Sequence, residues 1–150
     1  PPTLLRRQRQ MCIRDRVGID LLETEPVMGA SILKGDINDD AMMAEMIRLI
    51  DGKADLVLSD MAADTTGHRP TDHIRTTLLL DLALDMAQRV LTPGGAFLAK
   101  CFRGGAERDA LELMRRDFAT VRHVKPAASR QESVESYVLA TGFRGDRPEE

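Results

Sequence analysis

Residues 54–63 read Ala-Asp-Leu-Val-Leu-Ser-Asp-Met-Ala-Ala, and the way this stretch is punctuated decides the fold. Leu56, Val57 and Leu58 form an aliphatic run long enough for a strand and too short for a helix. The run stops at a carboxylate, Asp60, after which small residues lead to Thr65, Thr66 and Gly67. The stretch predicts a buried strand feeding a loop. In open parallel sheets, ligands bind in the crevice beyond the carboxyl ends of the strands, which makes Asp60 a candidate site residue. A simple turn cap is the plain alternative.

The same punctuation recurs on both sides. Residues 17–20 read as a strand ending in Asp20, residues 21–29 as a connection carrying Pro26, and residues 31–34 as a second strand stopped by Gly35 and Asp36. Asp39 or Asp40 can cap a helix in which Met42, Met43, Met46, Ile47 and Ile50 share one stripe, closed by Asp51 and Gly52. Beyond the organising strand, a helix over about residues 71–91 has two candidate inward rows: Ile74, Leu78, Leu82, Met86 and Val90, and Leu79, Ala83, Ala87 and Leu91. Thr92-Pro93-Gly94-Gly95 ends it, and residues 96–101 form the next buried strand, with Lys100 near its carboxyl end. A helix over about 105–118, a strand over 120–125, a loop over 126–130 and a last strand over 136–141 complete the pattern, with Glu135 just ahead of that strand. Alternating strands and helices predict an α/β doubly wound sheet.

Composition bounds the function. A chain of 150 residues is one domain's worth, able to bury about two-thirds of its unfolded surface. Apolar content is 43% with no Trp, and no apolar run approaches the roughly 18 residues of a membrane span. The start is basic but lacks the apolar stretch of about 7–15 residues that marks a secretory signal. The expectation is a soluble, cytoplasmic protein. Cys12 and Cys101 have neither C-x-x-C spacing nor a histidine pair nearby, so both read as plain thiols, and no metal site is indicated. A net charge of −3 argues against coating nucleic acid by bulk charge but leaves room for a local patch. Arg103, Arg108, Arg115, Arg116, Arg122, His123 and Lys125 supply a candidate patch, with solvated helix faces as the alternative. Residues 1–16 fit no element, and Met11-Cys12-Ile13-Arg14-Asp15-Arg16 resembles a translated sequencing adapter. The expected organisation is an atypical, artefactual stretch over 1–16, a domain over 17–142 and a disordered tail over 143–150.

Asp20, Asp36 and Asp60 each end a predicted strand, so in one parallel sheet they would line one edge of one crevice. Carboxylates there suit a nucleoside: they accept ribose hydroxyls or an exocyclic amine and repel phosphates. No G-x-x-x-x-G-K-S/T loop and no G-x-G-x-x-G turn is present. A phosphate-free adenosine is therefore favoured over a nucleoside triphosphate or NAD, and S-adenosylmethionine fits.

Several strings carry a more specific likeness: D-L-L at 20–22, G-D at 35–36, L-S-D-M-A at 58–62, L-T-P-G-G at 91–95, F-L-A-K at 97–100, V-K-P at 124–126 and E-S-Y-V-L-A-T-G at 135–142. In this order the chain resembles the FtsJ-like (RrmJ) ribosomal RNA 2′-O-methyltransferases over residues 17–142. The resemblance implies a Rossmann-like S-adenosylmethionine-dependent methyltransferase sheet. It also implies a Lys-Asp-Lys-Glu active site, of which Asp60, Lys100 and Glu135 match three members, and cofactor binding by Asp20, Asp36 and Asp60. Nothing here matches the family's first lysine or its glycine-rich loop, and Ala63-Asp64 stands where Pro-Asn is frequent. In the family fold the first strand lies between those represented by residues 17–20 and 54–60. Its absence from the sequence predicts either a sheet in two poorly joined halves or direct pairing of those two strands, in a chain that is marginally stable and inactive as written.

The implied reaction is methyl transfer to the 2′-oxygen of a uridine in 23S ribosomal RNA of the large ribosomal subunit, by a monomer that holds RNA on the basic stretch around Arg103 to Arg130. A ribose hydroxyl is a poor nucleophile, and Lys100 is the candidate to orient or deprotonate it. Neighbouring Asp60 and Glu135 would raise the lysine pKa, which favours orientation. His68, His73 and His123 lack ligand spacing and read as surface or capping residues, Ser59 as a strand residue, and Tyr137 as core unless its ring meets a base. Three rivals remain. They are a noncatalytic FtsJ-like RNA-binding domain; a base-directed N-methyltransferase, whose Asn/Asp-Pro-Pro-aromatic motif is replaced here by Ser59-Asp60-Met61-Ala62; and a nicotinamide dehydrogenase, which lacks its glycine fingerprint.

Overall fold

Among the described residues, hydrogen bonding makes two sheets. The computed structural model describes residues 16–51, 53–64, 66–102, 107–127, 129, 133 and 135–145. The predicted stretch at 1–16 lies outside them apart from Arg16, as do Cys12, Gly52, Arg103, Arg130 and residues 146–150. The chain divides between Lys53 and Ala54 into two compact units.

In the first unit, β1 (Arg16–Asp20) pairs in parallel with β2 (Ala30–Lys34), Asp20 lying opposite Lys34. Arg16 thus opens a strand and does not belong to an atypical stretch. Helix α1 (Asp40–Ile50) packs on both strands and buries Met43 and Met46. Of the two candidate caps Asp39 serves, its carboxylate accepting the Ala41 N–H at 2.8 Å. The helix closes on Asp51, which takes the left-handed conformation at φ 47°. Gly35 lets Met42 pack closely on the turn between β2 and the helix, since a Cβ there would stand 2.6 Å from Met42 Sδ and force that side chain to shift.

The second unit is a four-stranded sheet in the order β3-β4-β6-β5, formed by β3 (Ala54–Ser59), β4 (Leu91–Phe102), β5 (Phe118–Val124) and β6 (Glu135–Phe143). β3 and β4 are parallel; β6 runs antiparallel to β4 and β5. Helices α2 (Arg69–Val90) and α3 (Arg108–Asp117) contribute Leu84, Ala87 and Met114 to a core with Phe97, Phe118 and Val138 of the strands. Direct pairing of β1 with β3 does not occur among the described residues; they belong to separate sheets.

Four expectations change. The organising strand is not buried on both faces: among the described residues β3 is an outer strand, Val57 packs on the core, and Leu56 and Leu58, on the opposite face, are 51% and 65% exposed. In α2 the buried positions include Asp72, Thr76, Leu80, Ala83, Leu84, Ala87 and Val90, whereas Ile74 and Leu78 face solvent. Three consecutive leucines at 78–80 leave the helical phase ambiguous in the sequence, and packing on β4 selects Leu80. Thr92-Pro93-Gly94-Gly95 belongs to β4 as an irregular start, the register stepping from Ala54 opposite Leu91 to Leu56 opposite Ala96. Residue 143 belongs to β6. Gly142 at φ 73° breaks the two-residue alternation, and Phe143 turns into the core to meet Phe118 with ring centroids 5.2 Å apart.

Candidate functional site

β4 alternates, and that alternation aims its lysine. Ala99 and Cys101 are buried in the helix-covered core, so Lys100 between them projects from the opposite face. The β3–β4 register sets Ser59 beside Ala99, which brings Asp60, the next residue, to Lys100. The β4–β6 register sets Tyr137 directly across from Lys100 and Glu135 across from Phe102. Strand periodicity puts Tyr137 and Glu135 on one face of β6.

At this corner Lys100 Nζ lies 2.9 Å from Asp60 Oδ1, and the Tyr137 hydroxyl donates to the same oxygen at 2.9 Å. The Lys100 side chain is only 14% exposed, that of Asp60 73%. The hydrogen bond to Asp60 raises the Lys100 pKa above the ordinary lysine value; burial opposes this, and the charges of Asp60 and Glu135 add to the rise. Asp60 is held below the usual carboxylate range, first by the hydrogen bond from Lys100; burial opposes this, and the weaker hydrogen bond from Tyr137 adds to the lowering. Tyr137 is pushed up, chiefly because Asp60 accepts its hydrogen bond. At neutral pH the corner holds an ammonium, a carboxylate and a neutral phenol.

The structure therefore brings Asp60 and Lys100 into contact, with Glu135 near enough for its charge to act on the lysine. Of the two readings of Tyr137, core residue or ring near the crevice, the structure departs from the first: the residue is half-buried, with its hydroxyl on Asp60. The pairing of Lys100 with Tyr137 across the strands was the signal, and the sequence alone does not reveal that register.

The loop after Asp60 is tied down by a residue the sequence did not single out. Asp72, buried in the first turn of α2, accepts from the Thr66 N–H at 2.8 Å and the Thr66 hydroxyl at 2.7 Å. These bonds, the hydroxyl first, hold its carboxyl below the usual range. Arg75 donates to the Asp64 carbonyl at 3.3 Å, and His68 shares a 2.8 Å hydrogen bond with Thr71.

In the first unit Asp20 and Asp36 both follow the carboxyl direction of the parallel pair, and the Gly35 N–H bonds the Asp20 carbonyl at 2.9 Å. Each acid spends one oxygen on its own turn: Asp20 Oδ1 accepts from Leu22 N at 2.8 Å, and Asp36 Oδ1 from Asn38 N and Nδ2 at 2.9 Å. The backbone N–H of Asn38 is the main cause of a lowered Asp36 pKa. Both carboxylates are exposed.

Within the basic stretch several side chains have individual partners. His123 sits 3.8 Å from the buried Cys101 thiol, Arg116 pairs with Asp117, and Lys125 donates to the Ser133 carbonyl. Arg122, opposite Leu139, shares the sheet face of Tyr137. Arg103 and Arg130 lie outside the described residues. Among the described residues no cluster of His, Cys, Asp or Glu could hold a metal, and no helix is long and apolar enough to cross a membrane.

Comparison with known proteins gives this geometry a context. Residues 3–143 match the model of the FtsJ-like methyltransferases. The chain is 58% identical over 128 residues to a Granulibacter bethesdensis protein named ribosomal RNA large subunit methyltransferase E, covering 85% of this chain and 56% of that protein. An Acidiphilium cryptum protein of the same name is 53% identical over 130 residues, covering 87% of this chain and 58% of its own length. The chain thus spans a little over half the length of these curated relatives. Among solved structures, a Plasmodium falciparum protein described as a ribosomal RNA methyltransferase superposes with a TM-score of 0.73 at 23% identity, covering 97% of this chain and 80% of that one. A Streptococcus mutans protein described as a methyltransferase, in complex with SAH, gives 0.51 at 10% identity over 89% and 90% of the two chains. At such identities the likeness establishes the fold, a Rossmann-like methyltransferase α/β fold.

Proposed function

Because the chain belongs to the FtsJ-like methyltransferase family, we propose that its site serves methyl transfer from S-adenosylmethionine to the 2′-oxygen of a uridine ribose in 23S ribosomal RNA of the large subunit. The observation that carries this reading is the pairing of Lys100 with Asp60 at 2.9 Å, beside Tyr137 and Glu135. The reading implies action on ribosomal particles in the cytoplasm, by a monomer.

The acids fit the cofactor by their chemistry. Asp20 and Asp36 are exposed carboxylates at strand ends, each with only one oxygen committed to its own turn, and such groups accept ribose hydroxyls or the adenine amine. They are the proposed adenosine-recognising residues, with Asp60 a further cofactor-binding residue. When bound, S-adenosylmethionine supplies an electrophilic methyl group on a sulfonium. The 2′-oxygen gains a bond to that methyl carbon, the carbon–sulfur pair stays on sulfur, and the hydroxyl proton must leave.

Lys100 decides how the proton leaves. As an ammonium gripped by Asp60 it donates a hydrogen bond that orients the ribose oxygen. It accepts the proton only if a further positive charge beside it, or deeper burial, lowers its pKa. Asp60 fixes the ammonium, and Glu135 adds negative charge that favours the protonated form.

The test is a labelled-methyl assay on undermodified large-subunit particles. It compares the 150-residue chain with a chimera in which this chain replaces the aligned segment of the Granulibacter bethesdensis relative. The chimera is expected to place label on a ribose 2′-oxygen. The chain alone, which has no match to the glycine-rich loop, is expected to transfer little. A chimera that folds and binds S-adenosylhomocysteine but leaves RNA unlabelled would overturn the catalytic reading in favour of a noncatalytic RNA-binding domain.

A further inference from the structure

An aspartate as exposed as Asp60, placed just beyond the last residue of β3, is a poor fixed point. A single exposed ion pair contributes about 0–1 kcal/mol and leaves both side chains room to move. Methyl transfer, however, requires the group facing the ribose oxygen to be held within a fraction of an ångström. Something must stiffen the pair.

Resting on the methyl-transfer reading above, we propose that Tyr137 is a positioning residue, whose hydroxyl pins Asp60 and thereby keeps the Lys100 ammonium aimed at the reacting hydroxyl. Three observations carry this. The Tyr137 hydroxyl donates to Asp60 Oδ1, the oxygen that Lys100 also meets, both at 2.9 Å. Tyr137 stands opposite Lys100 in the β4–β6 ladder, flanked by the fully buried Ser136 and Val138, so its backbone is anchored in the sheet. Its ring is half-buried on the sheet whereas the Asp60 side chain is 73% exposed, so the tyrosine is the better anchored of the two. Asp60 is thus reached from two inner strands at once.

Among the described residues, the charged and titratable groups that bear on Lys100 are Asp60 from the end of β3 and Tyr137 and Glu135 from β6; Arg122 of β5 lies on the same sheet face. Of these, only Tyr137 touches Asp60 without carrying charge at neutral pH. Its removal therefore alters the geometry of the pair without changing the net charge of the corner.

The test is Tyr137→Phe in the full chain, which keeps the ring and deletes only the hydroxyl. Carbon-13 NMR of the Lys100 Cε and the Asp60 carboxyl follows both titrations. If Tyr137 positions the pair, both midpoints relax toward ordinary values: Lys100 moves down and Asp60 moves up. In an Asp60→Asn background the same change should leave Lys100 unmoved, because its route of action is gone. A purely structural tyrosine would lower thermal stability in both backgrounds and leave the midpoints in place, which overturns the proposal. An upward move of Lys100 overturns it too, since it would mean that Tyr137 competes for the oxygen. Where methyl transfer is measurable, Tyr137→Phe should lower kcat about tenfold, the worth of one good hydrogen bond, with KM for S-adenosylmethionine unchanged. Absence of transfer by the unsubstituted chimera would count against the reading on which this rests, while the two titrations still decide the role of Tyr137.

Discussion

Replacing Lys100 by Met separates a catalytic lysine from a structural one. Methionine keeps most of the apolar stem in a position that is only 14% exposed, so packing in β4 is nearly preserved, and the ammonium alone is lost. The folding cost follows from the partner. Asp60 is 73% exposed, water screens its charge, and the lost pair is worth about 0–1 kcal/mol. Tyr137 still donates to Asp60, so the carboxylate is not orphaned. The catalytic cost is of another order: a group that orients or deprotonates the nucleophile contributes about 10²–10⁴ in rate, or roughly 3–5 kcal/mol. Urea denaturation and labelled-methyl transfer on the same preparation of the chimera therefore ought to disagree, stability changing by no more than about 1 kcal/mol and kcat by at least a hundredfold. Calorimetry should find binding of S-adenosylhomocysteine nearly unchanged in Lys100→Met and in Lys100→Ala. Parallel losses of stability and transfer, or transfer that survives, would refute the assignment.

The remaining predictions concern the acids. Asp20→Ala should weaken S-adenosylhomocysteine binding by about 1–3 kcal/mol, the cost of a lost charge-assisted hydrogen bond, and unchanged affinity in calorimetry would leave Asp20 as no more than a cap for Leu22. For the Asp60–Lys100 pair the two titrations bound a pH window. The lowered Asp60 contributes stability that is complete above 3.8 and lost as pH falls through its folded value; the raised Lys100 contributes stability that is complete below 10.5 and lost as pH rises through its folded value. Melting temperatures of the wild type and Asp60→Asn should thus differ by a constant amount across neutral pH and converge toward both extremes; a difference that peaks at one end would contradict the pairing. Asp72→Asn should speed amide hydrogen exchange in the loop between β3 and α2, because a neutral amide accepts more weakly from Thr66, whereas unchanged exchange would show that the loop is held by other contacts.

How much of this was legible before the structure depends on the range over which each signal acts. Strand endings are local: Asp20, Asp36 and Asp60 stop apolar runs, and the structure places each at or just beyond a carboxyl end. Helix caps are equally local, and Asp39 caps as its chemistry dictates. Burial is not local. Leu56 and Leu58 look like the interior of a strand covered on both faces, yet which faces are covered depends on strand order, which no window of ten residues encodes. The phase of α2 was ambiguous for a related reason. A run of apolar residues at 78–80 offers several faces to the core, and only the fit against β4 chooses among them.

The site shows the same division: Lys100 stands out in the sequence, whereas Tyr137 does not. A lysine between Ala99 and Cys101 is conspicuous in one dimension, since its charge contradicts the run around it. A tyrosine between Ser136 and Val138 contradicts nothing. It becomes informative only through an antiparallel register spanning residues 100 and 137, which sets its hydroxyl 2.9 Å from a carboxylate supplied by a third strand. Residues that carry the reacting charge can be read by their conflict with local context, whereas residues that aim that charge are apolar or neutral enough to sit comfortably in a strand. Sequence reading is therefore biased toward the charged members of a site and against the groups that position them. The remedy is to ask, for each out-of-place charge, which residue stands opposite it in the ladder.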